Sequence, residues 1–168
     1  DRIEVPGEYY YLTCHREENT HTDRNLIEIL SAMDTLNAPT IYPVHPRNRE
    51  RVKRICNQHN ITNIMLSQPV GYLTSIGLVK KARKIVTDSG GLQREAFFAG
   101  IPCVTVFNYV IWPETMIGNQ NQLARADRQD ILTKLSAEVV KDPNYKPFGD
   151  GYAAERIENI ISNYDISK

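Results

Sequence analysis

No stretch of this chain is apolar for the roughly 20 residues that a membrane-spanning helix needs, and its longest apolar runs are strand-sized. Net charge is also missing. Twenty basic residues balance twenty acidic ones, so no global field draws the chain to nucleic acid or to an anionic membrane, and neither is expected as a partner. Cysteine is scarce and scattered: Cys14, Cys56 and Cys103 form no Cys-x-x-Cys pair, which favours reduced thiols and a cytoplasmic setting over a disulfide framework. The four histidines, His15, His21, His45 and His59, show no His-x-x-x-His spacing and no cysteine support, so no metal site is expected. A Walker A loop and a Gly-x-Gly-x-x-Gly turn are both absent; this excludes P-loop hydrolysis and the usual dinucleotide site, and no cofactor is expected. An initiator methionine is missing too. The opening Asp1-Arg2-Ile3-Glu4 leads to the expectation of a piece of a longer polypeptide, with part of an active site upstream.

What is present is a regular alternation over 168 residues, a length suited to one domain. Strands are expected at Tyr9-Tyr10-Tyr11-Leu12-Thr13, Thr40-Ile41-Tyr42-Pro43-Val44, Asn63-Ile64-Met65-Leu66, Lys84-Ile85-Val86-Thr87 and Pro102-Cys103-Val104-Thr105-Val106. Helices are expected over 22–36, 47–59, 72–82 and 92–100. Continuous apolar strands separated by amphipathic helices predict an α/β fold, a Rossmann-like parallel sheet with helices on both faces and right-handed crossovers. The tail adds a short strand at 121–124, a helix from 127 to about 141, and a loop marked by Pro143 and Pro147. A last helix opens at Gly149-Asp150-Gly151 and carries the apolar stripe Ala153, Ala154, Ile157, Ile160, Ile161 and Tyr164.

In such folds ligands bind beyond the carboxyl ends of the strands, and the polar motifs gather there. Asp88-Ser89-Gly90-Gly91 joins a strand to a helix. Ser89 suits the N-cap, the glycines let a ligand approach the backbone, and the first-turn N–H groups point at an anion. The same residues also fit a plain capped turn; Ser89 as a nucleophile lacks the Gly-x-Ser-x-Gly context. Glu95, one turn on, suits a sugar hydroxyl. His15-Arg16-Glu17-Glu18-Asn19 follows the first strand. His15 offers a donor to a phosphate or sugar oxygen, Arg16 a bidentate phosphate partner or an ion pair with Glu17 or Glu18, and Asn19 a cap for the next segment. His45-Pro46-Arg47 offers a second imidazole and guanidinium, or only a helix start. Trp112 and Tyr109 are candidates for stacking on a base or sugar, or for simple packing.

Taken in order, Thr13-Cys14-His15-Arg16-Glu17-Glu18-Asn19, Tyr42-Pro43-Val44-His45-Pro46, Asp88-Ser89-Gly90-Gly91-Leu92-Gln93-Arg94-Glu95-Ala96, Gly100-Ile101-Pro102 and Pro113-Glu114-Thr115 resemble the C-terminal half of the UDP-N-acetylglucosamine 2-epimerases. The resemblance implies the second domain of a GT-B type two-domain fold, with UDP and a UDP-N-acetylhexosamine as ligands and a full-length protein that is commonly a homodimer. It implies anti elimination of UDP and its re-addition with inversion at C2. By motif, His15 becomes the cleft histidine near the diphosphate; Ser89, Gly90 and Gly91 hold the diphosphate, and Glu95 grips the ribose. Two positions depart from the family pattern. Trp112 stands where an arginine is usual, and Ser75 where an aromatic residue is often found, with Tyr72 as its nearest substitute. The Ser-Gly-Gly-x-x-x-Glu element alone is shared with GT-B glycosyltransferases, and a nucleotide-sugar sensor without catalysis is the third reading.

Overall fold

The computed structural model describes residues 5–164. Six short strands, β1 (Tyr10–Thr13), β2 (Thr40–Pro43), β3 (Ile64–Ser67), β4 (Ile85–Thr87), β5 (Cys103–Val106) and β6 (Asn121–Ala124), form one sheet in the order β3-β2-β1-β4-β5-β6. Every pairing is parallel. Seven α-helices surround it among the described residues: α1 (Glu17–Thr20), α2 (Asp23–Asp34), α3 (Arg49–Gln58), α4 (Tyr72–Lys81), α5 (Gly90–Ala99), α6 (Arg128–Ser136) and α7 (Ala153–Ser162). None is long and apolar enough to cross a membrane.

Both faces of the sheet are covered, and the period-two alternation of the strands divides the core. Tyr10, Leu12, Tyr42, Val86 and Val104 face α2, α3 and α6. Tyr9, Tyr11, Ile41, Ile85 and Cys103 face α4 and α5. This double burial is why the strands read as unbroken apolar runs. The tyrosines in the core keep their hydroxyls satisfied: Tyr9 donates to the Leu78 carbonyl at 2.7 Å and Tyr42 to the Cys14 carbonyl at 2.8 Å.

The tail differs from the sequence expectation at one boundary. Helix α6 starts at its Asp127 cap, which accepts from the Asp130 N–H at 2.8 Å, but it ends at Ser136 rather than near Lys141. Its last carbonyls are taken by long side chains from the sheet: Gln122 Nε2 donates to Lys134 at 2.8 Å and Lys84 Nζ to Leu135 at 2.5 Å. The chain beyond runs extended, and the Val140 N–H donates to the Gly118 carbonyl at 2.8 Å. Tertiary partners thus outcompete another helical turn. Helix α7 forms as expected, yet none of its residues is buried, and Ile157, Ile160, Ile161 and Tyr164 all lie exposed.

Candidate functional site at the carboxyl edge

Strands β1 and β4 are neighbours in the sheet although their paired residues Thr13 and Thr87 lie 74 positions apart in the chain. From β1 the chain moves outward through β2 to β3; it then crosses back over the other face to β4. The loops leaving β1 and β4 therefore diverge, and a crevice opens between them at this switch point. It holds a cavity of about 290 Å³. Pro43, Pro69 and Val70 form an apolar wall, and His15, His45, Ser89, Gly91 and Glu95 bring polar groups to the same space.

Asp88 organises the β1 side. It is buried at 1% exposure, and its carboxylate accepts from the backbone N–H groups of His15 (2.9 Å) and Arg16 (2.8 Å) and from Asn19 Nδ2 (3.3 Å). The same carboxylate lies 3.2 Å from His15 Nδ1. That contact turns the imidazole through its Nδ1 side and leaves Nε2 as the nitrogen available to a ligand. Asn19 is therefore not a helix cap: its amide is buried and also donates to the Val106 carbonyl at 3.0 Å, tying the loop after β1 to the end of β5.

Helix α5 supplies the other side. The first N–H groups of a helix have no partner within it, and here two of the four leading donors are already engaged. The Ser89 N–H donates to Thr87 Oγ1 at 3.0 Å, and the Leu92 N–H to Ser89 Oγ at 3.3 Å. The N–H groups of Gly90 and Gly91 remain, with no acceptor among the described residues, at the positive end of the helix. Because Ser89 Oγ accepts internally, its hydroxyl proton is left to donate outward. Three donors at a helix start, an imidazole held by a carboxylate and the Glu95 carboxylate supply the chemistry that an anion carrying hydroxyl groups would require.

The remaining sequence candidates are distributed unequally. His45 lines the cavity, and its Nδ1 accepts from the Arg47 N–H at 3.3 Å. Arg16 turns away: its guanidinium stacks 4.4 Å over the Phe107 ring, beside a second, small cleft that Tyr109 also lines. Tyr72 is 67% exposed and lies outside the cavity lining, where Ser75 sits instead. Ser75 Oγ is 3.1 Å from the Tyr11 hydroxyl. Burial raises the Tyr11 pKa, Ser75 opposes that rise, and the Glu95 charge adds to it. Trp112 packs under Arg94, whose guanidinium is 4.2 Å from the ring.

Sequence reasoning passed over Tyr11, Thr13, Pro69 and Val70 in the lining, and gave Asp88 no role of its own. The strand positions carry no signal, because a residue whose side chain ends in the crevice looks like any other core residue. Asp88 did carry one: an acid directly after a fully apolar strand has to find donors.

Residues 2–162 match the family model described as UDP-N-acetylglucosamine 2-epimerase. The chain belongs to the UDP-N-acetylglucosamine 2-epimerase family. It is 38% identical to a "UDP-N-acetylglucosamine 2-epimerase homolog" of Methanococcus maripaludis, over 97% of this chain and 47% of that protein. It is 34% identical to a UDP-2,3-diacetamido-2,3-dideoxy-D-glucuronate 2-epimerase of Pseudomonas aeruginosa, over 89% of this chain and 43% of that protein. The Methanocaldococcus jannaschii UDP-GlcNAc 2-epimerase, solved in complex with UDP-GlcNAc and UDP, superposes with a TM-score of 0.76 at 32% identity, over 92% of this chain and 45% of that one. The chain thus spans about half the length of the curated relatives it matches.

All three cysteines of this epimerase-family chain are buried and free. Burial, reinforced by the Asp88 carboxylate, pushes the Cys14 thiol well above its usual value; burial takes Cys103 up to about 12 and raises Cys56. Raised thiol values mean stability that is whole below the unfolded thiol pKa and lost as pH rises through the folded values. Two results are expected. A thiol reagent near pH 8 reacts fast with none of the three until denaturant is added. The urea midpoint falls once pH passes about 8.5, and rapid native labelling or an alkaline plateau would contradict this.

Proposed function

We propose that this chain is the UDP-binding, C-terminal domain of a two-domain GT-B type UDP-N-acetylglucosamine 2-epimerase. In this reading the Gly90 and Gly91 N–H groups and the Ser89 hydroxyl receive the diphosphate, Glu95 grips the ribose, and His15 meets the leaving diphosphate from the β1 side. The observation that carries the reading is the unengaged N–H pair of Gly90 and Gly91 at the start of α5, where Ser89 and Gly91 line the same crevice as a carboxylate-held histidine. Elimination of UDP needs donors that stabilise departing negative charge, and the crevice offers donors rather than an activated nucleophile. Re-addition of UDP to the opposite configuration at C2 interconverts UDP-GlcNAc and UDP-ManNAc.

The catalytic acid and base carboxylates belong, in this reading, to the other half of the parent. The unpartnered apolar stripe of α7 supports such a second half, since four large apolar side chains left in water are costly. The fragment alone is expected to bind UDP weakly and to turn over no substrate. The test is to assay the full-length parent with UDP-GlcNAc and to identify the products. UDP-ManNAc is the expected product. Free N-acetylmannosamine with UDP would assign hydrolysing chemistry, and no reaction of any UDP-2-acetamido sugar would remove the proposal. Turnover by the 168-residue chain alone would refute the division of labour.

A further inference from the structure

Trp112 sits where the loop after β5 meets the start of α5. A Cβ built on Gly90 would lie 3.4 Å from Trp112 Nε1 and 3.2 Å from Ile111 Cδ1, so the indole N–H flanks the helix turn that holds the two unengaged backbone donors. The ring is fixed from several directions. Arg94 stacks 4.2 Å from it, and Phe148 meets it edge-on at 6.2 Å. The Trp112 carbonyl accepts from Thr115 Oγ1 at 2.8 Å and from Gln93 Nε2 at 3.4 Å. The indole N–H itself donates to nothing among the described residues, although the residue is half-buried.

Behind the ring lies the Arg94 guanidinium. Its Nε is buried without an acceptor, and none of the ion pairs among the described residues includes it. A guanidinium on an indole face is held there by the ring quadrupole, and its field reaches through the ring toward the N–H edge. The result is a rigid neutral donor, backed by a positive charge, beside a helix N-terminus.

We propose that Trp112 is a ligand-contacting residue whose indole N–H donates to a phosphate oxygen of the nucleotide at α5, with Arg94 as the positioning residue that holds the ring. This role rests on the UDP-binding reading above. Gly90 then serves two ends: its N–H faces the anion, and its missing side chain lets the indole reach the same anion. Donation of this kind discriminates nucleotide from nucleoside, because uridine has no phosphate oxygen to receive it.

The chain contains a single tryptophan, so its 1H–15N spectrum holds one indole resonance. Titration with UDP is expected to move that resonance downfield together with the amides of Gly90 and Gly91, whereas uridine leaves the indole in place. Trp112→Phe keeps a ring on Arg94 and removes the N–H. It is expected to weaken UDP binding about tenfold or more, as for a lost hydrogen bond to a charged group, and to leave uridine binding and the thermal midpoint unchanged. An indole resonance that stays still while the Gly90 and Gly91 amides shift overturns the role and leaves the nucleotide site standing. So does a Phe variant that binds UDP like the parent, or one that loses UDP and uridine alike. If UDP moves neither the indole nor the glycine amides, both readings fall. The titration needs no variant, so it decides even if Trp112→Phe does not fold.

Discussion

Asp88→Ala is expected to destabilise the chain by about 3 kcal/mol, because it strips a charged acceptor from several buried or half-buried donors at once. The His15 and Arg16 N–H groups and the Asn19 amide all converge on that one carboxylate, and only Asn19 keeps another acceptor, the Val106 carbonyl. Water reaches poorly into a position that is 1% exposed, so the orphaned N–H groups stay unsatisfied. Asp88→Asn preserves the shape but turns an amide NH2 toward those donors, so it should recover only part of the loss. Urea unfolding measures both. A cost below about 1 kcal/mol for the alanine variant would show that the loop after β1 holds itself. In the full-length parent the same change also releases His15, and an imidazole misplaced by about 1 Å is expected to lower kcat by roughly a hundredfold.

Gly118→Ala carries the second large effect. Gly118 has φ +65°, in the left-handed region, and a Cβ there would collide with the carbonyl oxygen of Val140. That carbonyl cannot withdraw easily. Val140 is bound back to Gly118 through its own N–H at 2.8 Å, and Asn119 Nδ2 holds the Glu138 carbonyl at 3.0 Å. Left-handed strain and overpacking together should cost about 3 kcal/mol. The consequence extends beyond stability. Gly118 lies in the 3-10 turn Pro113–Asn119, which follows Trp112 and carries Thr115 against Gln93 of α5. Displacing this turn should loosen the Trp112 ring from Arg94, read as a change in the intrinsic fluorescence of the sole tryptophan. A variant as stable as the parent, with the same emission, would refute both the strain and its transmission.

The sequence carried a good deal of the site because its signals are local. Asp88-Ser89-Gly90-Gly91 reads as a capped helix start in any context, and Ser89 Oγ does accept from the Leu92 N–H. The apolar runs of β1, β2, β4 and β5 require cover on both faces, and they have it. Weak local signals left two features to the tertiary structure. Helix α6 ends early because Lys84 and Gln122, from other elements, take its carbonyls. Tyr72 and Ser75 lie on one short helix, and only its packing angle decides that Ser75 lines the crevice while Tyr72 faces water.

The sequence by itself determined the α/β class, the parallel sheet, the family and the edge at which the candidate site residues gather, since hydrophobic period, cap chemistry and motif order are properties of neighbouring residues. Only the tertiary structure decided which loops meet. Strand order β3-β2-β1-β4-β5-β6 brings His15 onto Asp88, leaves Gly90 and Gly91 as the unengaged donors, and sets Trp112 against them. Each of these is a contact between segments far apart in the chain. Such contacts are fixed by how crossovers pack on a sheet, which no local pattern of residues encodes.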